Sequence, residues 1–403
     1  MAIRHCLLIL VTTACSSAPR SAPSCPAAPA CAVTGTPPIA TATVDAAVVP
    51  DALPAPVRVP GGAITVQVLP APAYIERTDA GQAVNWDLRV ANGTGVAWRL
   101  VELEVTVLDA RGAPVWRRLV TSGGVSPAIT TIPNRDLPAG ETVLVLNPVA
   151  VLARDLVLTR MRFALTYELV GGDERVVATS EVAPLRYDNR ATLRLPVAGR
   201  LLVWSGHDLL AHHRRWDYVF APLRDFGFDS NPGRYAYDLV PVDAAGAMSA
   251  GDPADNKSWF GFGAPIVAPA AGTVVAVVDG HPDDRQFDEG GLKADLMLVY
   301  GNHVVIDHGH GEYSLFAHLQ QHSAKVKVGD VVTAGRAIAA IGASGSAMFP
   351  HLHYQLQDRP TAHAEGLPSY FHDVRRLRGA RPATLKTVAI DSGDLVESAA
   401  KSR

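Results

Sequence analysis

Cysteine is absent from most of this 403-residue chain, because Cys6, Cys15, Cys25 and Cys31 all lie within the first 31 residues. The rest of the sequence therefore has neither a disulfide framework nor a thiolate metal site. Any metal ion bound there must be held by His, Asp or Glu.

Charged and aromatic residues are also scarce. Charged residues make up 19% of the chain, and 36 Lys and Arg against 39 Asp and Glu give a net charge of -3, so no nucleic-acid partner is expected. No apolar run reaches the roughly 18 residues of a membrane-spanning helix. Aromatic residues amount to 6%, whereas 34 Gly and 30 Pro imply many turns and favour a β-rich fold.

The N-terminal segment has the pattern of an export signal. Arg4 precedes a short apolar run that ends shortly before Cys15, which predicts a signal peptide over residues 1–15. The small residue before Cys15 resembles a bacterial lipobox, in which the cysteine is acylated, although Thr12 replaces the usual Leu. We expect an exported protein of the cell envelope, in the periplasm or at the outer membrane, anchored through acylated Cys15; plain secretion is the alternative.

The remaining sequence divides by composition into four parts. Residues 16–60 are rich in Ala and Pro, which predicts an extended spacer. Residues 61–195 alternate apolar and polar side chains between turn signals, which predicts an all-β, immunoglobulin-like β-sandwich without its disulfide. We interpret this sandwich as a spacer or interaction module. Residues 196–396 form the domain that carries the chemistry, and residues 397–403 are a tail.

Histidine is concentrated in the second half of the chain, which holds 13 of the 14 imidazoles. Within Pro350–Leu356, strand alternation puts His351, His353 and Gln355 on one face, and the opposite face is apolar. The Cα atoms of the two histidines are then roughly 6.6 Å apart, close enough to share a site. A pair of surface histidines on an edge strand is the alternative.

Two further residues have chemistry that their surroundings do not explain. His318 ends the alternating stretch 313–317, and Asp238 lies inside the apolar stretch 234–240. A buried carboxylate must be paired, hydrogen-bonded or metal-bound, since isolated burial costs too much free energy. A salt bridge to Arg is the purely structural explanation.

These motifs form an ordered series that resembles the lysostaphin-type zinc endopeptidases of bacterial cell walls. The series runs from Tyr235-Ala-Tyr-Asp238 through Gly301-Asn-His-Val-Val-Ile-Asp-His-Gly309 and Leu315-Phe-Ala-His318 to His351-Leu-His353. The resemblance covers about residues 200–358 and implies a β-sheet peptidase domain. It implies Zn²⁺ ligation by Asp238 and His353, and catalytic roles for His318 and His351.

One position departs from the family pattern. The first ligand histidine usually stands four residues before the Asp, where this chain has Arg234, and a guanidinium has no lone pair to offer a metal. His212 and His213 lie in a segment that resembles a family branch with an earlier ligand histidine. We therefore expect one of these two to be the third ligand, and favour His213.

The implied ligand set predicts a zinc-dependent endopeptidase that hydrolyses peptide bonds of peptidoglycan. Two imidazoles and a carboxylate leave zinc an open position for water. Neither H-E-x-x-H nor G-x-S-x-G occurs, so those arrangements are excluded. The alternative, supported by Arg234, is a catalytically degenerate relative that binds cell-wall peptide or regulates another wall hydrolase. A biotinyl or lipoyl carrier is disfavoured, because the loop 342–350 lacks an acceptor Lys.

Overall fold

The computed structural model describes residues 63–78, 81–149, 151–378 and 382–398. The predicted signal peptide with Cys15 and the spacer lie outside these residues. All the described residues belong to one compact unit. The fold is nearly all-β, as predicted, with a single α-helix, α1 (Ala221–Phe226), among them. No helix in this part of the chain is both long enough and apolar enough to cross a bilayer.

The first half of the described chain consists of short strands. They are β1 (Ile64–Leu69), β2 (Tyr74–Arg77), β3 (Gln82–Val84), β4 (Asp87–Asn92), β5 (Trp98–Leu108), β6 (Pro114–Thr121), β7 (Asp136–Leu137), β8 (Thr142–Leu146), β9 (Arg160–Leu169), β10 (Arg175–Val182) and β11 (Leu185–Arg186). Three-residue and longer 3₁₀ turns occur at Ala128–Thr131, Asn256–Ser258, Glu289–Gly291 and Leu296–Tyr300.

Two antiparallel sheets of this half pack against each other. One has the order β1-β4-β8, and the other has the order β10-β9-β5-β6 with β7 paired to β5. Inward-facing side chains of both sheets form a single apolar core, in which the rings of Trp86 and Phe163 have centroids 4.5 Å apart. The sandwich packing follows from the alternation along each strand. Its immunoglobulin-like character stays a prediction.

The sandwich differs from the sequence prediction between β3 and β4. The alternation of apolar and polar residues over 83–90 predicts a single strand, but the chain leaves β3 after Val84 and enters β4 at Asp87. The two residues between them are buried, Trp86 in the sandwich core and Asn85 against the second half of the chain. A third sheet, β11-β2-β3, adjoins this break.

The second half of the chain supplies the remaining strands. They are β12 (Arg200–Ser205), β13 (Tyr237–Pro241), β14 (Pro265–Val267), β15 (Gly272–Val278), β16 (His303–Asp307), β17 (Tyr313–Ala317), β18 (Val331–Val332), β19 (Ala337–Ala340), β20 (Leu352–Gln357), β21 (Gly366–Leu367), β22 (Phe371–Arg376), β23 (Ala383–Val388) and β24 (Leu395–Ser398).

Most of these strands join one sheet of the order β18-β15-β16-β17-β20-β13-β12-β24-β22-β23, with β21 paired to β20. The central strand β20 is buried on both faces. Leu352, Tyr354 and Leu356 enter an apolar core with residues of β12, β13, β16 and β22. His353 and Gln355 occupy the opposite face, so the alternation predicted for this strand is present. That opposite face carries the candidate site.

Candidate metal centre

Three neighbouring strands bring the predicted site residues to one place. Antiparallel pairing of β13 with β20 sets Asp238 opposite His353, and pairing of β17 with β20 sets Ala317 opposite the same histidine. His318 follows Ala317 directly. Residues far apart in sequence therefore meet on one sheet face, because register fixes which side chains are neighbours.

The side chains of His213, Asp238 and His353 point at one another. His213 Nε2 lies 3.0 Å from Oδ1 and 3.1 Å from Oδ2 of Asp238. His353 Nδ1 lies 3.3 Å from Asp238 Oδ1 and 3.1 Å from His213 Nε2. Asp238 is only 1% exposed. Two nitrogens and one carboxylate oxygen thus form a triangle in which every edge is close to 3 Å.

His212 and His351 lie at the edge of this triangle. His212 Nε2 is 3.5 Å from Asp238 Oδ2, and its side chain is 47% exposed. His351 Nε2 is 3.3 Å from Asp238 Oδ1, and its side chain is buried. His212, His213 and Asp238 each have a donor atom within 4.8 Å of the other two. Both histidines of the adjacent pair therefore reach the carboxylate, and His213 also reaches His353.

A chain of hydrogen bonds fixes the protonated nitrogen of His353. Gln357 Nε2 donates to the backbone carbonyl of Arg359 at 2.6 Å, and its Oε1 accepts from Gln355 Nε2. Gln355 Oε1 then accepts from His353 Nε2 at 2.7 Å. This series of hydrogen bonds ends on a backbone carbonyl, which can only accept. His353 must therefore carry its proton on Nε2 and keep a lone pair on Nδ1. That lone pair faces Asp238 and His213.

His318 and His351 have the opposite arrangement. His351 Nδ1 donates to the carbonyl of Phe349 at 2.7 Å, and His318 Nδ1 donates to the carbonyl of Ser344 at 2.9 Å. Each histidine therefore has Nε2 left for chemistry. Their ring centroids are 5.0 Å apart. His318 also has a φ of 59°, a left-handed conformation that is uncommon outside glycine and persists only where surrounding contacts impose it.

Burial and mutual proximity shift the pKa values in this cluster. Burial penalises the Asp238 carboxylate, but the adjacent His213 and His351 outweigh it and hold the pKa of Asp238 well below its usual value. Burial, reinforced by neighbouring imidazoles, lowers the pKa of His318 and of His353. Although burial acts against it, the Asp238 carboxylate raises the pKa of His351. The cluster thus combines an ionised carboxylate with two imidazoles, those of His318 and His353, that favour the neutral form, and with His351, whose protonated form the carboxylate favours.

The donor set matches the requirements of a tetrahedral zinc ion. Zn–N and Zn–O bonds of about 2.0–2.2 Å place tetrahedral ligand atoms about 3.3 Å apart, which is close to the 3.0, 3.1 and 3.3 Å separations among His213, Asp238 and His353. Neutral imidazole and carboxylate are suitable zinc ligands. The Gln355 contact behind His353 is the outer support that metal-bound histidines usually have.

Arg234 lies away from this triangle, in agreement with its exclusion as a ligand. Its side chain is fully buried and pairs with Asp87 through Nη1 and with Glu365 through Nε at 2.6 Å. Asp238 has no arginine partner among the described ion pairs. The salt-bridge explanation for the buried Asp238 carboxylate is therefore wrong, since its neighbours are imidazoles.

The structure brings together every residue that the sequence singled out for the site, namely His212, His213, Asp238, His318, His351 and His353. Their roles as ligands or catalysts stay predictions. Sequence reasoning missed the supporting groups Gln357, Asp87 and Glu365, and also Tyr300, whose hydroxyl accepts from Gln355 Nε2 at 3.3 Å. The period-two pattern of β20 could have identified Gln357, because it shares a face with His353 and Gln355. No local pattern marks the others.

The histidine and aspartate cluster on this antiparallel sheet is a candidate metal centre. Residues 260–364 match the model of peptidase family M23, so the chain carries a domain of this family and the resemblance to lysostaphin-type peptidases is confirmed. The matched range includes His318, His351 and His353. It begins after Asp238, so the segment with His212 and His213 lies outside it.

Individual relatives match parts of the chain. Murein hydrolase activator EnvC of Escherichia coli (strain K12) is 36% identical over 100 residues, which are 25% of this chain and 20% of that protein. Peptidoglycan DD-endopeptidase ShyA of Vibrio cholerae is 28% identical over 204 residues, which are 49% of this chain and 39% of that protein. The chain thus spans less than half the length of either relative.

The solved structures that match this chain superpose on it with low TM-scores. The catalytic domain of lysostaphin from Staphylococcus simulans is 23% identical, with a TM-score of 0.20, and the match covers 30% of this chain and 86% of that domain. A zinc-containing peptidase from Vibrio cholerae is 14% identical, with a TM-score of 0.25, and the match covers 73% of this chain and 83% of that one.

Proposed function

We propose that this protein is a zinc-dependent endopeptidase that hydrolyses peptide bonds of peptidoglycan. The observation that carries the proposal is the triangle of His213 Nε2, Asp238 Oδ1 and His353 Nδ1, with separations of 3.0–3.3 Å, in a chain with an M23 domain. The wall substrate is supported by two relatives, a murein hydrolase activator and a peptidoglycan endopeptidase.

The proposed chemistry divides between the metal and two histidines. When bound by His213, Asp238 and His353, zinc would polarise the scissile carbonyl and activate a water molecule. His351 and His318 each hold a proton on Nδ1 against a backbone carbonyl, which leaves the Nε2 lone pair of a neutral ring to accept a proton from the attacking water. The ring protonated in this way can then donate from Nε2 to the developing oxyanion. Burial of both rings strengthens such interactions, because little water screens them.

His213 is the preferred third ligand over His212. Its Nε2 is closer to Asp238 and also lies 3.1 Å from His353 Nδ1. Asn231 Nδ2 donates to the His213 carbonyl at 3.0 Å and fixes the local backbone. His212 is more exposed, and partial desolvation together with the adjacent His213 lowers its pKa to about 3, so it would be neutral beside the metal.

The test is the zinc content of the purified chain together with digestion of isolated cell-wall sacculi. We expect about one zinc per chain, since three protein ligands suffice for a catalytic site. Asp238→Ala and His353→Ala should each abolish zinc binding. His351→Ala and His318→Ala should keep zinc and lose turnover by about 10²–10⁴-fold. Loss of zinc in either of the latter two variants would reverse the assigned roles.

A second candidate function is regulation of another wall hydrolase. It is supported by Arg234 at the position of the family's usual first ligand and by the 36% identity to a murein hydrolase activator over 100 residues. A chain that binds sacculi but neither holds zinc nor releases peptides would favour this function. His213→Ala then separates the two, because only the enzyme depends on that imidazole.

The proposed location is the cell envelope. In this proposal, segment 1–15 directs export, and acylated Cys15 in the candidate lipobox anchors the protein to the membrane. An Ala- and Pro-rich spacer over residues 16–60 would let an anchored enzyme reach the wall. Labelling with a fatty-acid analogue should mark the wild-type protein and not Cys15→Ala; unchanged labelling of the variant would exclude this anchor.

A further inference from the structure

The backbone directly before Asp238 is held by side chains from the β-sandwich. Segment 234–237 leads into the strand that presents the carboxylate, and Tyr235, Ala236 and Tyr237 are all 0% exposed. Three buried polar residues, Asn85 and Asp87 of the sandwich and Glu76 of the sheet that adjoins it, contact this segment or its neighbours. Glu76 lies in β2, and the other two lie at the break between β3 and β4.

The first contact is a buried ion pair. Arg234 is 0% exposed and Asp87 is 2% exposed, and Arg234 Nη1 donates to Asp87 Oδ2. Arg234 Nε donates to Glu365 at 2.6 Å, so one guanidinium joins the sandwich to the loop before β21. The neighbouring Asn85 Nδ2 donates to the Arg234 carbonyl at 3.4 Å.

The second contact reaches the same segment from another direction. His207 Nδ1 lies 3.0 Å from Glu76 Oε2, and His207 Nε2 donates to the Tyr235 carbonyl at 2.7 Å. The His207 ring also stacks on Tyr237, with centroids 4.4 Å apart. The residue immediately after Tyr237 is Asp238, so both contacts fix backbone within four residues of the metal-facing carboxylate.

Such contacts fix geometry more than they add stability. A buried ion pair seldom stabilises a fold more than apolar side chains of the same volume would, whereas removing one partner leaves an uncompensated buried charge. Charged and hydrogen-bonded groups do impose distances and angles, which apolar contacts leave loose. A metal site needs its ligands placed within a fraction of an ångström.

We propose that the sandwich, together with the sheet β11-β2-β3 that adjoins it, is a structural part of the metal centre, with Asp87, Asn85 and Glu76 as positioning residues for Asp238. The inference rests on the proposed function for the metal itself. At the position where the family usually has its first ligand histidine, this chain has an arginine that anchors the Asp238 strand to the sandwich. The sandwich thus has a role beyond that of a spacer or interaction module.

The test compares Asp87→Asn with Asp136→Asn in the full chain. Asp136 pairs with Arg99 on the sandwich surface, where both side chains are more than half exposed. Amide hydrogen exchange is measured in metal-free protein at residues 235–238 and, as an internal reference, at Val304–Ile306 in β16. Zinc affinity is measured by competition with a chromophoric chelator.

We expect Asp87→Asn to accelerate exchange at residues 235–238 about 10-fold or more relative to β16, and to weaken zinc binding about 10- to 100-fold. Asp136→Asn should change neither. Glu76→Gln and Asn85→Ala should give the same selective pattern, and they carry the test if Asp87→Asn does not fold.

A uniform increase in exchange across β13 and β16 with unchanged zinc affinity would overturn the inference, because it would show a purely global structural role. If the wild-type chain binds no zinc, the proposed function fails, and the exchange comparison in metal-free protein still decides the role of the sandwich.

Discussion

The sandwich core and the site face of the large sheet are equally buried but are built from different chemistry. In the sandwich, Leu103, Val105 and Phe163 enter one apolar cluster and are each 0% exposed. On the site face of β20, Gln355 and Gln357 are also 0% exposed, yet they are linked by hydrogen bonds to His353. Burial alone therefore does not distinguish side chains that stabilise the fold from side chains that position the metal-facing residues.

The difference lies in what each core tolerates. Apolar contacts are non-directional, so a sandwich core loses stability roughly in proportion to the volume removed. The hydrogen bonds on the polar face of β20 are directional. Each glutamine amide must both donate and accept if the series of hydrogen bonds from the Arg359 carbonyl to His353 is to form. Substitutions in the sandwich core should lower the free energy of unfolding, and substitutions on the site face should lower the affinity for zinc.

The largest expected effect is on the sandwich core. Phe163→Ala removes a fully buried ring from the centre of the cluster and should lower the free energy of unfolding by about 3–5 kcal/mol. Urea unfolding measures the loss. Zinc affinity measured in native buffer should fall less than in Asp87→Asn, since Phe163 packs on Trp86, between the positioning residues Asn85 and Asp87, and not on the metal-facing residues themselves; a loss of affinity as large as that in Asp87→Asn would show that the two buried regions do not differ in this way.

The next effect is on the site face. Gln355→Leu keeps the size of the side chain and removes the acceptor that holds the His353 Nε2 proton, so His353 can adopt the tautomer without a lone pair on Nδ1. Zinc affinity should fall about 10- to 100-fold, as measured by chelator competition. Gln321→Leu, at an exposed glutamine, is the matched control, and equal affinities in both variants would show that the tautomer does not matter.

The same contrast explains what the sequence could predict. Period-two alternation depends only on local chain geometry, so the two faces of β20 and the short sandwich strands followed from the pattern. The contact of Arg234 with Asp87 spans 147 residues and that of His207 with Glu76 spans 131. No periodic pattern in the sequence identifies such pairs, because each partner alone resembles an ordinary charged or polar residue.

The break at Asn85 and Trp86 was missed for a related reason. Alternation over 83–90 fits one strand, but Trp86 packs in the sandwich core while Asn85 bonds to the second half of the chain, so tertiary contacts override the local pattern. The choice between His212 and His213 was likewise not local. It depends on the turn after β12, which sets His213 nearer to both Asp238 and His353.

A smaller effect is a pH dependence of stability that the site face has and the apolar core lacks. Burial and neighbouring imidazoles hold the pKa of His318 well below its usual value. Below about pH 6.5 the unfolded chain takes up a proton that the folded protein does not, so stability falls as the pH falls. His318→Gln in metal-free protein should reduce this slope by up to about 1.4 kcal/mol per pH unit, measured by urea unfolding between pH 5 and 7. An unchanged slope would contradict the neutral state of the buried ring.

The smallest expected effect is that of removing an exposed ion pair of the sandwich. Arg99 with Asp136 and Arg234 with Asp87 are both arginine–aspartate pairs that include a sandwich residue, but the first is exposed and the second is buried. Water and salt screen the exposed pair, and its side chains lose entropy when they pair, so Arg99→Ala should leave the urea midpoint and zinc affinity unchanged within error. Asp87→Asn removes one partner of the buried pair and leaves the Arg234 guanidinium with only Glu365 to compensate its charge, next to the strand that carries Asp238. A midpoint shift in Arg99→Ala as large as that in Asp87→Asn would mean that burial is not what makes the second pair important, and the positioning role would then have to rest on the Glu76 contact alone.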